Sequence, residues 1–246
     1  FTPTDYCVGG ANAAAVTGTI GGVFTFNPLP GDGATIDAGS GEITGGVATT
    51  TYSIEYTTQG LCPLSSIETV TVNPLPTVIT SDVSVCLGGS VDITASGADT
   101  YVWSPATNLN TTIGATVTST PVIDMAYTVT GTDINGCENT AIANITVSGN
   151  APIDAGVDVT ICLGDIVTLT AIGGTTYTWD NGLGIGNDFD VSPGVGTTTY
   201  VVDGTDGSGC SGTDQIDITV DPLPTATITG TIDVCVGDTD PTITFT

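Results

Sequence analysis

The stretch Ile161-Cys162-Leu163-Gly164-Asp165 opens the segment that decides the fold of this chain, which extends to Val220. It is followed by Ile166-Val167-Thr168-Leu169-Thr170, and the segment closes with Ile216-Asp217-Ile218-Thr219-Val220. Apolar and polar residues alternate in these runs, which is the pattern of half-buried β-strands. The segment therefore predicts a small module built from β-strands.

The preceding segment repeats this pattern at fixed distances. Cys86-Leu87-Gly88-Gly89 matches Cys162-Leu163-Gly164-Asp165, and Trp103 follows Cys86 by 17 residues, as Trp179 follows Cys162. A tyrosine stands 10 residues before a second cysteine in three places, namely Tyr52 before Cys62, Tyr127 before Cys137 and Tyr200 before Cys210. A fixed period of this kind indicates tandem repeats.

The spacing of the first cysteines sets the size of the repeats. Cys7, Cys86, Cys162 and Cys235 lie 79, 76 and 73 residues apart, so each module has about 75 residues. The segments Asn73-Pro74-Leu75-Pro76 and Asp221-Pro222-Leu223-Pro224 end strand pairing, because proline lacks a backbone donor. We predict module 1 at residues 1–73 (diverged, without tryptophan), module 2 at residues 74–148 and module 3 at residues 149–220. Residues 221–246 are predicted to start a truncated fourth module of a longer array.

The pattern within each module predicts about seven short strands, with turn signals roughly every 8 to 12 residues. Val91, Ile93 and Ala95 share one strand face in module 2. The glycine-rich turn Asp133-Ile134-Asn135-Gly136 is predicted to join the last two strands of that module as a hairpin. The predicted fold class is therefore all-β, with each module a compact antiparallel sandwich.

Three motifs of module 3 carry a family resemblance. They are Tyr177-Thr178-Trp179-Asp180-Asn181-Gly182, Thr199-Tyr200-Val201-Val202 and Gly209-Cys210-Ser211. Together they resemble a PKD or immunoglobulin (Ig)-like repeat. The Cys-x-Gly opening with a later Gly-Cys resembles modules of secreted Bacteroidota surface proteins, including giant gliding-motility adhesins. The resemblance implies a tandem array of small Ig-like or PKD-like β-sandwich modules, although Asp180-Asn181-Gly182 departs from the usual PKD run of an aromatic residue, Gly, Asp and Gly.

The charge balance excludes several classes of partner. The chain has 26 acidic residues and no Lys, Arg or His. Without cations it cannot neutralise phosphates, so nucleic-acid binding is not expected. An anionic membrane surface would repel the chain, and no apolar run of the sequence is long enough to cross a bilayer as a helix.

The cysteines are predicted to form disulfides in an oxidising compartment, because no CxxC pair and no His offers a zinc site. The prediction covers all seven: Cys7, Cys62, Cys86, Cys137, Cys162, Cys210 and Cys235. In an Ig-like sandwich the first-strand and hairpin cysteines lie at opposite ends of a module, about 20 Å apart. Bonds between neighbouring modules are therefore favoured: Cys7 with Cys137 and Cys86 with Cys210, with Cys62, Cys162 and Cys235 bonded beyond this sequence. The alternative scheme has bonds within modules, Cys7–Cys62, Cys86–Cys137 and Cys162–Cys210.

Catalysis is not predicted, because the chain has no His or Lys to act as a base. No catalytic, cofactor-binding or metal-binding residue is assigned. Five aspartates could hold weak calcium sites or form a solvated acidic face: Asp133, Asp203 and Asp206 near hairpin ends, together with Asp188 and Asp190. The aromatic residues of modules 2 and 3 are interpreted as core residues rather than sugar-stacking platforms, namely Tyr101, Trp103, Tyr127, Tyr177, Trp179 and Tyr200.

These observations predict a structural stalk or filament segment of a large extracellular cell-surface adhesin, in which the modules act as a mechanical spacer stabilised by disulfides. Its expected partners are neighbouring modules of the same long chain, and surface glycans or other cell-surface proteins are further candidates. The alternative function is a carbohydrate-binding or spacer array attached to a secreted enzyme. Tandem repeats of this kind occur on proteins of unrelated function, so the two readings stay open at this point.

Overall fold

The computed structural model describes residues 1–225 of the 246-residue chain. These residues form 20 β-strands, and no helix occurs among them. Buried and less buried side chains alternate along the strands, as in β5 (Thr51–Thr57), where Tyr52, Ile54 and Tyr56 are buried. The all-β prediction is confirmed. Residues 1–225 also contain no helix with the length and apolar character needed to cross a membrane.

Module 1 has six strands, one fewer than expected. They are β1 (Tyr6–Cys7), β2 (Val23–Phe26), β3 (Thr35–Ile36), β4 (Ile43–Thr44), β5 and β6 (Ser65–Asn73). Four of them form a sheet in the order β1-β6-β5-β2, and β3 pairs with β4 separately. Within the sheet, β2 and β6 pair antiparallel with β5, whereas β1 runs parallel to β6.

Module 2 has the strand order of an Ig-like sandwich. Its strands are β7 (Ile79–Thr80), β8 (Val83–Cys86), β9 (Val91–Ser96), β10 (Thr100–Ser104), β11 (Thr116–Ser119), β12 (Met125–Thr132) and β13 (Glu138–Ser148). They form two sheets, in the orders β10-β12-β13-β8 and β11-β9-β7. The chain starts in the three-stranded sheet with β7 and crosses to the other sheet, where β8 runs parallel to β13. This arrangement encloses a core between two sheets.

Module 3 repeats this plan with seven strands, of which the short β17 is new and none takes the place of β7. Its strands are β14 (Val159–Cys162), β15 (Val167–Thr170), β16 (Thr176–Trp179), β17 (Gly184–Ile185), β18 (Asp188–Val191), β19 (Gly196–Thr205) and β20 (Ser211–Asp221). One sheet has the order β14-β20-β19-β16-β17, and β15 pairs with β18 in the other. As β8 does with β13, β14 runs parallel to the last strand of its module, β20.

Each module has its own cluster of buried side chains. Phe24, Ile54 and Val72 belong to the cluster of module 1. Trp103 and Tyr127 belong to that of module 2, and in module 3 the cluster is built in the same way around Trp179, Tyr200 and Ile218. The strand faces predicted for module 2 are confirmed, since Ile93 and Ala95 are buried and Val91 packs against them.

Modules 1 and 2 lie in one compact unit, Phe1–Asn150, and module 3 belongs to a second unit that begins at Ala151. The predicted module boundaries stay predictions, and the predicted fourth module lies almost entirely outside the described residues.

Candidate functional site

Each module presents its first cysteine in the same turn. Cys86 ends β8 and pairs in register with Ser148, the last residue of β13. The N–H of Gly89 then donates to the carbonyl of Cys86 at 2.9 Å, and Gly88 between them has a φ of +83°. This is a type II turn, whose third position needs the positive φ that glycine tolerates. The same bond joins Gly10 to Cys7 at 2.8 Å and Asp165 to Cys162 at 3.0 Å.

The second cysteine of modules 2 and 3 follows a turn organised by an aspartate. The carboxylate of Asp133 accepts hydrogen bonds from the N–H groups of Asn135 and Cys137, at 2.9 and 2.8 Å. Asp206 does the same for Ser208 and Cys210, at 2.8 and 3.0 Å. Carboxylate acceptors of this kind hold a turn in one conformation. The hairpin predicted at residues 133–136 is confirmed, and module 3 has the same hairpin between β19 and β20. Each aspartate holds a cysteine at the hairpin end of its module.

The structure joins Cys7 of module 1 to Cys137 of module 2 by a disulfide, with the two Cα atoms 5.5 Å apart. This is the first bond of the scheme that links neighbouring modules, and it is confirmed. The bond closes a sequence separation of 130 residues. In the chain-entropy model a loop of that size stabilises the folded state by about 5 kcal/mol. That is comparable with the whole stability expected of a small module.

The alternative scheme, with bonds within modules, is wrong for all three pairs. Cys7 and Cys137 bond to each other, Cys62 and Cys162 are free, and Cys86 and Cys210 are both disulfide-bonded. The register of β8 against β13 explains why Cys86 and Cys137 do not bond to each other. Cys86 lies beside the end of β13, whereas Cys137 immediately precedes its start. Eleven residues of strand separate these positions, which corresponds to roughly 35 Å and far exceeds the reach of a disulfide.

The remaining cysteine predictions are untested. The predicted bond between Cys86 and Cys210 stays a prediction. Cys62 and Cys162 are exposed thiols in this structure, and their predicted bonds to residues beyond this sequence stay predictions as well. Cys235 lies outside the described residues.

The aromatic residues form cores and not an exposed platform. Trp103 and Trp179 are each 2% exposed, and Tyr101, Tyr127 and Tyr200 are buried as well, whereas Tyr177 is partly buried against the core of module 3. The indole N–H of Trp103 donates to the carbonyl of Gly114 at 2.9 Å. A buried ring cannot stack on a sugar, so the interpretation as core residues is supported.

Several aspartate carboxylates accept hydrogen bonds from backbone N–H groups. Because the chain has no Lys, Arg or His, these N–H groups take the place of cationic partners. One set lies just before the first cysteine of each module and reaches across to the last strand: Asp5 accepts from Thr71 at 2.7 Å, Asp82 from Asn144 at 2.8 Å, and Asp158 from Asp217 at 2.9 Å. Within residues 1–225 no group of three or more His, Cys, Asp or Glu side chains could hold a metal. The candidate calcium ligands therefore form no cluster in the described part of the chain.

Module 1 contains a polar cluster around Tyr52. The Tyr52 hydroxyl donates to the carboxylate of Asp32 and accepts from the Val47 N–H at 2.8 Å. Burial and then the Asp32 bond raise the pKa of Tyr52, while the bond from Tyr52 lowers the pKa of Asp32. The stabilisation from these shifts is lost only as pH falls through the lowered pKa of Asp32 or rises through the raised pKa of Tyr52. Through neutral pH, Asp32 therefore stays ionised and Tyr52 stays protonated, so the hydrogen bonds of the cluster are kept.

The comparisons with known proteins give structural neighbours only. No protein-family model matches the chain, and no curated protein matches it. Among solved structures, the I9-I11 tandem from titin is 13% identical, with a TM-score of 0.33, and covers 91% of this chain and 98% of that one. The IG1+IG2 structure of DIP-gamma is 12% identical, with a TM-score of 0.31, and covers 60% and 98%. The fibronectin(III)-like modules of Clostridium thermocellum CbhA are 11% identical, with a TM-score of 0.29, and cover 63% and 100%. Because these scores are low, the Ig-like fold rests on the strand order described above.

Proposed function

We propose that this chain is a stalk segment of a large extracellular cell-surface adhesin, in which tandem Ig-like modules act as a mechanical spacer. The observation that carries the proposal is the Cys7–Cys137 disulfide, which joins one module covalently to the next. A bond between two modules carries tension from one module to the next. Disulfides also belong to oxidising compartments, which supports a location outside the cytoplasm.

The pairing of the cysteine-bearing strands provides a second source of mechanical resistance when the disulfides are reduced. In each module the strand that ends at the first cysteine runs parallel to the last strand: β1 with β6, β8 with β13, and β14 with β20. A pull that enters at the start of the first of these strands and leaves at the end of the last slides the two strands along each other. The hydrogen bonds between them are then loaded together rather than one at a time. Such a pair resists force better than one that opens from an end.

The alternative function, a carbohydrate-binding array, is not favoured by any observation in residues 1–225. The aromatic rings that would stack on sugars are buried or partly buried in the module cores. A spacer attached to a secreted enzyme would use the same mechanical properties, and it differs from the adhesin proposal only in what the stalk carries.

In reduced protein, one substitution can remove a single hydrogen bond at the end of the parallel β8–β13 pair. The Leu87 N–H donates to the Ser148 carbonyl at 2.8 Å, and Leu87 occupies the second position of the type II turn, where proline is favoured. We expect Leu87→Pro to lower the unfolding force of module 2 in single-molecule pulling. Its free energy of unfolding should change by less than about 1 kcal/mol, because the lost bond is offset by the stiffer unfolded chain.

The matched control is Leu87→Ala, which keeps the N–H and truncates the same half-exposed side chain. It should unfold at the wild-type force. Equal unfolding forces for Leu87→Pro and Leu87→Ala would show that the β8–β13 pair does not bear the load.

The proposed location is tested on intact cells of the organism that makes the protein. Antibodies raised against residues 1–225 should label unpermeabilised cells, and brief treatment with an added protease that cleaves this chain should remove the label. Trypsin serves as a negative control for cleavage within the chain, which has no Lys or Arg. Labelling that appears only after permeabilisation would contradict the proposal.

A further inference from the structure

Module 2 covers the outer edge of β11 with residues of its own chain. The Asn110 N–H donates to the Thr118 carbonyl at 3.0 Å, and the Thr118 N–H donates to the side-chain oxygen of Asn110 at 2.9 Å. Leu109 lies opposite Ser119 in an antiparallel bridge and packs against the core of the module. Residues 108–110 therefore pair with β11 as a short antiparallel strand does.

Module 3 has no such segment beside β18, the strand that corresponds to β11. Trp179 precedes the first residue of β18 by nine residues, whereas Trp103 precedes the first residue of β11 by 13. The shorter connection contains β17, which pairs with β16 in the other sheet. Within residues 1–225, no strand or isolated bridge pairs with β18 on the side away from β15. The outer edge of β18 is therefore open in the described part of the chain.

This open edge presents the backbone groups of Asp188 and Asp190. The Ala171 N–H donates to the Asn187 carbonyl at 2.9 Å, in continuation of the register of β15 against β18. Hydrogen-bonded and non-bonded pairs alternate along an antiparallel ladder, and the backbone groups of the non-bonded residues point away from the partner strand. The N–H and carbonyl groups of Asp188 and Asp190 therefore point outward, as those of Thr118 do in β11.

The side chains along the open edge alternate between acidic and apolar. Asp188 and Asp190 are exposed, Phe189 is partly buried against the core, and Val191 is 7% exposed. The Thr168 hydroxyl donates to the Asp190 carboxylate at 2.6 Å, which holds that side chain on the exposed face. The matching exposed positions of β11 are threonines, so the acidic edge is particular to module 3.

We propose that the outer edge of β18 binds an extended segment of a different protein, in which lysine or arginine residues alternate with apolar residues. The backbone of that segment pairs with β18 by strand addition, as residues 108–110 pair with β11. Its cationic side chains lie opposite Asp188 and Asp190, because residues paired across two strands share a face and opposite charges there attract. Its apolar side chains lie opposite Phe189 and Val191.

The charge of the chain argues against a second copy as the occupant. The sequence has no Lys, Arg or His and a formal net charge of −26, so a strand from a second copy would place no cation opposite the two carboxylates. Like charges directly opposite each other destabilise a strand pair. The inference goes beyond the proposed function and needs only the fold of module 3.

The pairing seen in module 2 also gives the order of residues in the segment. Because the bridge between Leu109 and Ser119 is antiparallel, the bound segment meets Val191 first and Asp188 last. Its core, read from the N-terminus, is therefore apolar, cationic, apolar, cationic. The two cationic residues also donate their backbone N–H groups to the carbonyls of Asp190 and Asp188.

The probe is a capped peptide with the core Leu-Lys-Leu-Lys, titrated calorimetrically against the full chain of 246 residues. The titration is made at about 0.15 M salt, where exposed charges further apart than roughly 8 Å are largely screened. We expect saturable binding of one peptide per chain. A peptide of the same composition with the core Leu-Leu-Lys-Lys cannot place both cations on one face, and its Kd should be at least about threefold higher.

A second peptide tests the backbone pairing separately from charge. Methylation of the two lysine backbone nitrogens removes their N–H groups and keeps both charges. We expect the Kd to rise at least about fivefold, because two hydrogen bonds are lost. An unchanged Kd of the methylated peptide would overturn the inference, as would the absence of saturable binding of the unmethylated peptide up to roughly 1 mM.

Paired variants of the chain locate the site. The double variant Asp188→Asn, Asp190→Asn should raise the Kd at least about threefold. The matched control is Asp92→Asn, Asp217→Asn, which removes the same charge from two aspartates that also accept a threonine hydroxyl. It should leave the Kd unchanged. Equal weakening by the two double variants would mean general attraction to an acidic chain and would overturn the inference.

Sedimentation of the chain without peptide tests a second copy as the occupant. If a second copy covers the edge, the chain forms dimers, and Asp188→Asn with Asp190→Asn strengthens them by removing repulsion. That result would overturn the proposal of a cationic partner, whereas a chain that stays monomeric in both forms supports it. None of these outcomes bears on the stalk proposal, since the Cys7–Cys137 joint is intact in every variant.

Discussion

Oxidised chains that carry Cys86→Ser and Cys210→Ser are expected to extend by roughly 450 Å less than reduced chains of the same variant when they are pulled from their two ends. The Cys7–Cys137 bond spans 130 residues of sequence, and a fully extended chain gains about 3.3–3.6 Å for each residue. While the bond is intact, tension passes from Cys7 directly to Cys137. Residues 8–136, which include most of both cores, then carry no load. After reduction these residues can be stretched as well, and their length adds to the measured extension.

The experiment is single-molecule pulling with and without reductant. The matched control adds Cys7→Ser and Cys137→Ser to the same variant, which removes the four disulfide-bonded cysteines of residues 1–225. Its extension should be the same in the oxidised and reduced states. A deficit of only about 180 Å, the length of a loop of about 50 residues, would instead indicate bonds within modules.

The sequence was sufficient to predict the modules and the first disulfide. The period of the cysteines predicted the repeats, and the alternation of apolar residues predicted the strands. The pairing of Cys7 with Cys137 followed from one geometric argument, that the first-strand turn and the last hairpin lie at opposite ends of a sandwich. The separation exceeds the expected distance of about 20 Å, because β13 has 11 residues and a typical strand has about six. A longer strand strengthens the same conclusion.

The pairing of distant strands could not be predicted from the alternation of apolar and polar residues. Parallel pairing of the first and last strands brings Tyr6 beside Val72, and periodicity within a strand does not say which distant strand becomes its neighbour. The sequence did carry a signal for it, since Asp82 and Asp158 stand four residues before the first cysteine of their modules. Their carboxylates accept N–H groups of the last strand. The alternation of apolar residues does not mark these two aspartates as structural residues.

Module 1 differs for a reason that its sequence does contain. At the position of the hairpin aspartate, Asp133 in module 2, module 1 has Thr58. The Thr58 side chain accepts the Leu64 N–H at 2.9 Å, so it closes a wider loop and does not hold the cysteine's own N–H. Cys62 is consequently exposed, whereas Cys137 is buried.

Trp103→Ala is expected to lower the free energy of unfolding of module 2 by about 3–5 kcal/mol, the usual cost of removing a large buried ring. Trp103 is among the largest fully buried side chains and packs in the cluster that contains Tyr127 and Val129. For a module of this size, each kcal/mol lowers the melting temperature by about 4–8 °C. The loss therefore approaches the whole stability of module 2. Thermal unfolding followed by near-ultraviolet circular dichroism measures it, with Ile113→Ala as the exposed control in the same module.

A paired comparison separates the hydrogen bond of the indole from its packing. Trp103→Phe removes the donor of the 2.9 Å bond to the Gly114 carbonyl and leaves that acceptor without the indole N–H. Trp179→Phe removes an indole N–H that has no hydrogen-bond partner within residues 1–225. The module 2 variant should therefore lose about 1–3 kcal/mol more stability than the module 3 variant. Equal losses would mean that packing alone accounts for the contribution of both tryptophans to stability.

For Trp103→Ala, an unchanged melting temperature together with lost binding to a glycan would identify Trp103 as a binding residue. That result would refute its assignment to the core.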